Sequence, residues 1–512
     1  MSQNISSTRH SIDSVTPQLD NVAQAEKGEK ASSLVNVDDD QRDEEPYSIY
    51  SKPYRIVIAA IAAFAGLLSP LSSSTYFPAL TVIQQDFNTT AELVNLTVTT
   101  YMILQGLAPT LWGSLADVWG RRPVYLSTVL VNIGACIGLA LAPTYSVLLG
   151  LRFLQAFGSS SVIALGAGVI GDITTPAERG SFYGLYNCGQ QLGPALGPVL
   201  GGIITQELSW RWIFWILLIY GTALFLVLLV FLPETLRPLV GNGSIYANPT
   251  PAQWLKRHLG KHTGPVASRE RFRKFPNFLM PLVYLLEPDV AAALVFKGLH
   301  YAIYYAYLTS TPSLFQQIYG LSELQIGLCF VALAVGCIIG SLVQGRILDR
   351  DFRITARKHG FAGMKKGEKL PLDFPIHKAR LRSIWIHAIL MQGVTISYGW
   401  TIYAEAHLAV PLVLQFIYGY SVTSMFNVVM TLLVDMYPGK GASITATNNI
   451  VRCLLSAVAT VVIEPGIQGI GVGWMFTVLG VILVLSNLTL VYLLVSGPAS
   501  RARREQRQEN HT

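Results

Sequence analysis

Gly113-Ser-Leu-Ala-Asp117-Val-Trp-Gly120-Arg121-Arg122-Pro123 is a short charged turn between two long apolar stretches, one ending at Trp112 and the other resuming at Val124. A weaker echo, Gly345-Arg346-Ile-Leu-Asp349-Arg350, follows another apolar stretch in the second half. Away from these turns the chain is apolar in blocks of about 20 residues, the length that crosses a ~30 Å hydrocarbon core. Of the 512 residues 51% are hydrophobic and 13% charged, too little charge to cover a soluble surface. The blocks lie near 55–79, 92–114, 124–143, 146–171, 181–203, 211–232, 288–310, 321–345, 382–404, 407–433, 441–463 and 471–495. Six precede a long polar segment and six follow it. The reading is an all-α membrane protein with twelve transmembrane helices in two pseudo-symmetric six-helix bundles.

The segments between the blocks complete the organisation. Residues 1–46 are rich in Ser, Gln, Asn and Asp and read as a disordered cytosolic tail without an apolar signal region. Residues 47–235 form the first bundle, 236–287 a basic linker and 288–497 the second bundle, which carries a polar loop at 351–381. A basic tail, 498–512, closes the chain. The halves repeat in sequence: Asp172 and Asp435 hold equivalent places before the fifth and eleventh blocks. Parallel repeats of this kind place a substrate site near the midplane, where the halves meet.

The net charge of +7 is a topology signal rather than a nucleic-acid footprint. Lys and Arg cluster at 121–122, 256–274, 346–382 and 501–507, which fall on one side if the blocks alternate. Asp86, Glu92, Glu207, Glu405 and Glu464 fall on the other, with almost no Lys or Arg. The positive-inside rule then puts both termini in the cytosol. Cys136, Cys188, Cys329, Cys337 and Cys453 all lie inside blocks and act as small apolar fillers. Their spacing implies neither a disulfide framework nor a metal site, and no cofactor is expected. Asn88-Thr-Thr is a glycosylation sequon on the outer side.

Charged groups inside blocks carry the chemistry. An intramembrane Arg costs at least ~2.5 kcal/mol and is tolerated facing a wet cavity or a partner. Arg152, with Gln155 one turn on, lies in the fourth block; Arg452, preceded by Asn448 and Asn449, lies in the eleventh. Lys297 and His300 share a face of the seventh, although Lys297 also fits snorkelling to the interface and His300 a structural hydrogen bond. Ser73 and Tyr76 follow Pro70 in the first block, where hydroxyls can resatisfy a backbone that proline interrupts. No Asp or Glu lies near the middle of any block. A cavity with Arg, Lys and His but no carboxylate attracts anions. Gly193, Pro194, Gly197 and Pro198 in the fifth block allow close helix contact and a bend, as in a hinge. Gly113, Asp117, Gly120, Arg121, Arg122, Asp349, Arg350, Asp172 and Asp435 form the expected gate, with Asp117 and Arg121 one turn apart.

Taken together, the chain resembles the major facilitator superfamily over roughly residues 50–495, and most closely the fungal twelve-span drug:proton antiporters. The Gly113–Pro123 turn matches that family's first-loop motif, except that Val118-Trp119 replaces a usual basic position. The Arg152 segment resembles a motif linked to proton coupling, and the Gly-Pro run one found in exporters. Ser69–Pro78, Gly171-Asp172-Ile, Leu232-Pro-Glu-Thr-Leu-Arg237 and Asn448–Leu455 are similar to the branch with quinidine-resistance pumps and citrate and itaconate exporters. The resemblance implies a membrane exporter and does not carry over a substrate. With the basic, carboxylate-free cavity, the reading is proton-coupled export of a small organic acid by alternating access, in monomeric form, at the plasma membrane. Its rival is a multidrug or secondary-metabolite exporter conferring resistance. Uniport driven by membrane potential, and a transporter-like sensor, are further alternatives. An enzyme is not expected, since no nucleophile–base pair is evident.

Overall fold

The computed structural model describes residues 48–174, 179–259, 283–361, 371, 374–437 and 441–509. Helices dominate them. The first half runs α1 (Lys52–Ser74), α2 (Leu80–Asp86), α3 (Ala91–Trp119), α4 (Arg121–Ala140), α5 (Tyr145–Ser159), α6 (Ser161–Ile173), α7 (Arg179–Glu207) and α8 (Trp210–Phe231). Two short helices, α9 (Arg237–Val240) and α10 (Pro251–His258), follow. The second half holds α11 (Pro288–Tyr319), α12 (Glu323–Lys358), α13 (Ile376–Arg380), α14 (Ile384–Tyr403), α15 (Ala409–Met436), α16 (Gly441–Ile470) and α17 (Val472–Glu509). Long helical stretches thus occupy all twelve blocks, with α1–α2 and α5–α6 each filling one. Among the described residues, eight stretches are by length and composition apolar enough to cross a membrane; α3, α7, α11 and α14 fall short. Three of those four bring Gln105, Gln190 and Lys297 to the interior cavity, so their polarity faces inward. Leu130, Ile219, Ile386, Leu488 and Val495 are among the large apolar side chains left exposed, as a lipid-facing surface requires.

Two helix pairs make most of the contact between the halves: α3 packs on α16, and α7 on α12. Small residues make both possible. A Cβ on Gly106 would lie 3.0 Å from the Cys453 side chain, and one on Gly327 would lie 2.6 Å from the Pro198 carbonyl. Gly197 plays the same part inside the first half, where a Cβ would collide with the Ser74 hydroxyl of α1.

Three segments differ from the sequence reading. Helix α12 runs on to Lys358, inside the expected loop 351–381, and α13 forms within that loop. Most of the expected tail 498–512 continues α17 to Glu509. The cause is side-chain anchoring: Arg504 pairs with the buried Asp289 at 2.7 Å, and Arg501 donates to the Phe374 and Pro371 carbonyls, both at 3.1 Å. The tail 1–46 and residues 260–282 of the linker lie outside the described residues.

Candidate functional site

Between the halves lies a cavity of about 320 Å³. Helices α1 and α7 bring Ser73, Ser74 and Gln190, and α3 brings Gln105. From the other half, α11 supplies Lys297, Tyr301, Tyr304 and Tyr305, α15 supplies Phe426 and Asn427, and α16 supplies Arg452. Among the described residues the lining holds two cations and no carboxylate. Lys297 is 6% exposed, with Nζ 5.5 Å from the centre of the Phe426 ring. Arg452 stacks over Tyr301 at 4.7 Å and donates from Nε to Asn449 Oδ1 at 2.9 Å. Ring faces and an amide hold these groups in place without cancelling their charge.

Arg152 sits elsewhere. It is 1% exposed and does not line the cavity. Its guanidinium lies over Tyr76 at 4.0 Å and Tyr101 at 4.5 Å, and Nη1 donates to Gln155 Oε1 at 2.6 Å. A polar chain nevertheless leads from it towards Arg452. Tyr101 donates to the Ser69 carbonyl at 3.1 Å, and Gln105 donates to Ser69 Oγ at 3.1 Å. Across the seam Asn449 donates to the Gln105 carbonyl, and Arg452 donates to Asn449. Tyr101 and Gln105 are absent from the sequence reading, and Ser69 enters it only as part of the Ser69–Pro78 stretch. The signal for Tyr101 and Gln105 is a row of polar residues on one face of α3, visible only once that face is known.

The other expected site residues scatter. Ser73 lines the cavity; Tyr76, Gln155, Asn448, Asn449 and His300 do not. Tyr76 hydrogen-bonds Thr97 at 2.9 Å, and Asn448 is buried. His300 is fully buried, with Nδ1 2.8 Å from the Phe296 carbonyl of its own helix. Asn88 is exposed in the α2–α3 turn, at φ 48°.

At the basic end of the first half, Gly120 takes φ 109°, a conformation that admits glycine, and this breaks α3 from α4. Arg121 pairs with Asp117 at 2.8 Å and with Asp172 at 3.0 Å. The Asp117 side chain is 63% exposed and that of Asp172 15%, so the second pair is the stronger. A Cβ on Gly168 would lie 2.8 Å from the guanidinium, which explains a glycine there. Arg122 donates to the Leu232 and Leu229 carbonyls at 3.0 and 2.6 Å, capping the end of α8. Glu234 in turn accepts from the Arg121 backbone N–H at 2.8 Å and caps α4. It also accepts from Asn248 at 2.8 Å, which docks the linker on this end. Gly113 has open space around it.

The second half uses a different arginine. Asp435 pairs with Arg380 at 2.7 Å, while Asp349 and Arg350 are exposed. The reason is spacing: α12 continues through Asp349 and Arg350, so the helix carries them past the turn, and α13 brings Arg380 back instead. The fifth-block Gly-Pro run stays helical, since α7 is continuous through Pro194 and Pro198.

A family model described as the Major Facilitator Superfamily covers residues 62–460. The chain belongs to the major facilitator superfamily. Citrate exporter 1 of Aspergillus niger is 39% identical over 99% of this chain and 98% of its own length. Multidrug transporter QDR2 of Candida glabrata is 34% identical over 91% of this chain and 84% of its own length. Quinidine resistance protein 1 of Saccharomyces cerevisiae is 34% identical over 88% and 85%. The fold is shared with the solved xylose transporter XylE from E. coli, at TM-score 0.61 and 15% identity over 86% of this chain and 97% of that one. This major facilitator protein is therefore a secondary membrane transporter of the branch expected from the sequence, and not an enzyme.

Proposed function

We propose that this carrier exports a small organic acid of the citrate class in exchange for protons. The observation that carries the reading is the cavity between the halves, with Lys297 and Arg452 on its wall and no carboxylate among its lining residues. A unit charge 4 Å from a carboxylate contributes about 4 kcal/mol at an effective dielectric of 20, which favours an anion and opposes a cation. The similarity to an Aspergillus niger citrate exporter supports the same class. Each multiply charged anion meets both halves' polar groups: Gln105 and Gln190 on one side, Arg452, Lys297 and Asn427 on the other. Rocking of the halves then exposes the site alternately.

In this reading the protein is a monomer in the plasma membrane with twelve spans. Both termini are cytosolic, and glycosylated Asn88 lies outside. Arg152 serves coupling rather than contact with substrate, through Tyr101, Ser69 and Gln105. The Asp117–Arg121–Asp172 and Arg380–Asp435 clusters hold the cytosolic ends of the helices they join, and α7 flexes at its Gly-Pro run. Export of multidrug type is the second reading, favoured by the aromatic wall of Phe77, Tyr301, Tyr304, Tyr305 and Phe426.

Proteoliposomes containing the purified chain and labelled citrate test the proposal. Efflux is expected to slow when the pH gradient is collapsed at clamped membrane potential. Citrate efflux equal to protein-free vesicles, together with efflux of quinidine, would establish the second reading instead. Efflux of citrate indifferent to the pH gradient would leave a uniporter.

A further inference from the structure

A second, small space lies at the end of the bundle opposite the basic clusters, and the transport cavity does not include it. It measures about 10 Å³, the scale of one water, and is walled by Thr81, Gln84 and Asn95 of the first half and Thr309, Ser313 and Glu464 of the second. It therefore sits on the seam between the halves. The sequence places Glu464 at an outer helix end, but it lies inside α16 and is only 7% exposed. Among the described residues Glu464 has no cation partner. The charged group acting on it is another carboxylate, Glu92 at the start of α3, across the seam. Gln468, one turn beyond Glu464 on α16, is the uncharged polar group that acts on both acids. The remaining facing groups from α2, α3 and α11 are uncharged. Asp86, close by in sequence, is paired with Arg211 at 2.8 Å. The hydroxyl of Thr81 lines the same space, is buried, and has no hydrogen-bond partner.

We infer that this space is a proton-binding site, with Glu464 as the acceptor, and that its protonation closes the far end of the seam. Two ionised carboxylates, Glu92 and Glu464, repel across the interface of the halves. Uptake of one proton from the adjoining solution forms an O–H bond on Glu464 and removes that repulsion. It also creates a donor and leaves an acceptor oxygen for the idle Thr81 hydroxyl. The same seam is already stitched nearby by Thr99 and Thr460, 2.8 Å apart, and by the Leu324 backbone N–H donating to Gln206 at 3.2 Å. Loss of the proton works against these bonds and favours opening. As the coupled proton of export the site rests on the antiport reading above; as a gate it does not.

The test is a distance measurement across the far end. Nitroxide labels at exposed Leu208 and Tyr403, in lipid nanodiscs, report seam opening by pulsed electron resonance. The closed, short-distance population is expected to grow as the buffer is taken from alkaline to mildly acidic. Glu464→Gln should stay closed at every pH, while Glu464→Asp should restore the response and shows that the variant site still folds. A Glu464→Gln protein that titrates like the parent overturns the inference. So does a parent whose seam ignores pH, or one that follows sodium when it replaces N-methylglucamine at fixed pH. If the seam titrates through Glu464 while citrate efflux ignores the pH gradient, the gate stands and the antiport reading falls.

Discussion

Replacing Lys297 by Met separates binding from folding, because the two effects have opposite signs. Met keeps most of the length and volume and removes the charge. Lys297 is nearly fully buried beside Phe426, and no carboxylate lines its cavity. The empty carrier therefore bears the desolvation of an uncompensated cation, and its removal is neutral or stabilising for the fold. On the proposed function, a bound citrate carboxylate supplies the missing counter-charge. A hydrogen bond to a charged group contributes about 1.5–3 kcal/mol net, so its loss weakens binding by about 10- to 150-fold. Titration calorimetry with citrate on the detergent-solubilised protein reads the first quantity, and scanning fluorimetry the second. The expected result is a weaker citrate Kd with an unchanged or higher melting temperature. Unchanged affinity would show that Lys297 does not meet the anion. A lower melting temperature would show that the ammonium has a stabilising partner, and the electrostatic argument would fail.

Three further outcomes follow from the geometry. Asp172→Asn leaves Arg121 with only the exposed Asp117 and should cost about 3 kcal/mol of stability, whereas Asp117→Asn should cost under about 1 kcal/mol; equal losses in thermal unfolding would contradict the burial argument. Gly197→Ala places a methyl against Ser74 and 3.0 Å from the Thr75 backbone nitrogen, and should destabilise by about 1–3 kcal/mol by forcing α1 from α7; a melting temperature equal to the parent's would refute that contact. His377 lies outside the spans, and burial lowers its pKa to about 4. The unfolded chain, with an ordinary imidazole near 6.5, binds more protons than the folded one between those values. Stability contributed by neutral His377 is thus complete above pH ~6.5 and lost as pH falls towards 4, and His377→Gln should flatten that part of the melting-temperature profile.

The turn at Gly113–Pro123 was legible because its glycine and charges are local: Gly120 breaks the helix, and Arg121 meets Asp117 one turn away. Lys297 and Arg452 were legible because cations stand out in apolar blocks. What periodicity leaves open is which wall a side chain faces. Arg152 looks equivalent to Arg452 in sequence, yet Tyr76 and Tyr101 hold it behind the cavity. Pairings over long separations were hidden for the same reason. Glu234 reaches the start of α4 from more than a hundred positions away, and Arg380 displaces Arg350 as the partner of Asp435. Glu464 was misplaced because a carboxylate six positions before a helix end reads as solvated until the opposing helix is present.

The anchoring of α17 has a practical side. Asp289 is fully buried at the first turn of α11, eight positions before Lys297, and its cation comes from Arg504 near the far end of the chain. A stop placed before Arg501 would therefore strip the counter-charge from the helix that carries the cavity's lysine. The last turns of α17 are scaffolding for the helix that carries Lys297, and a fluorescent reporter belongs beyond them rather than in their place.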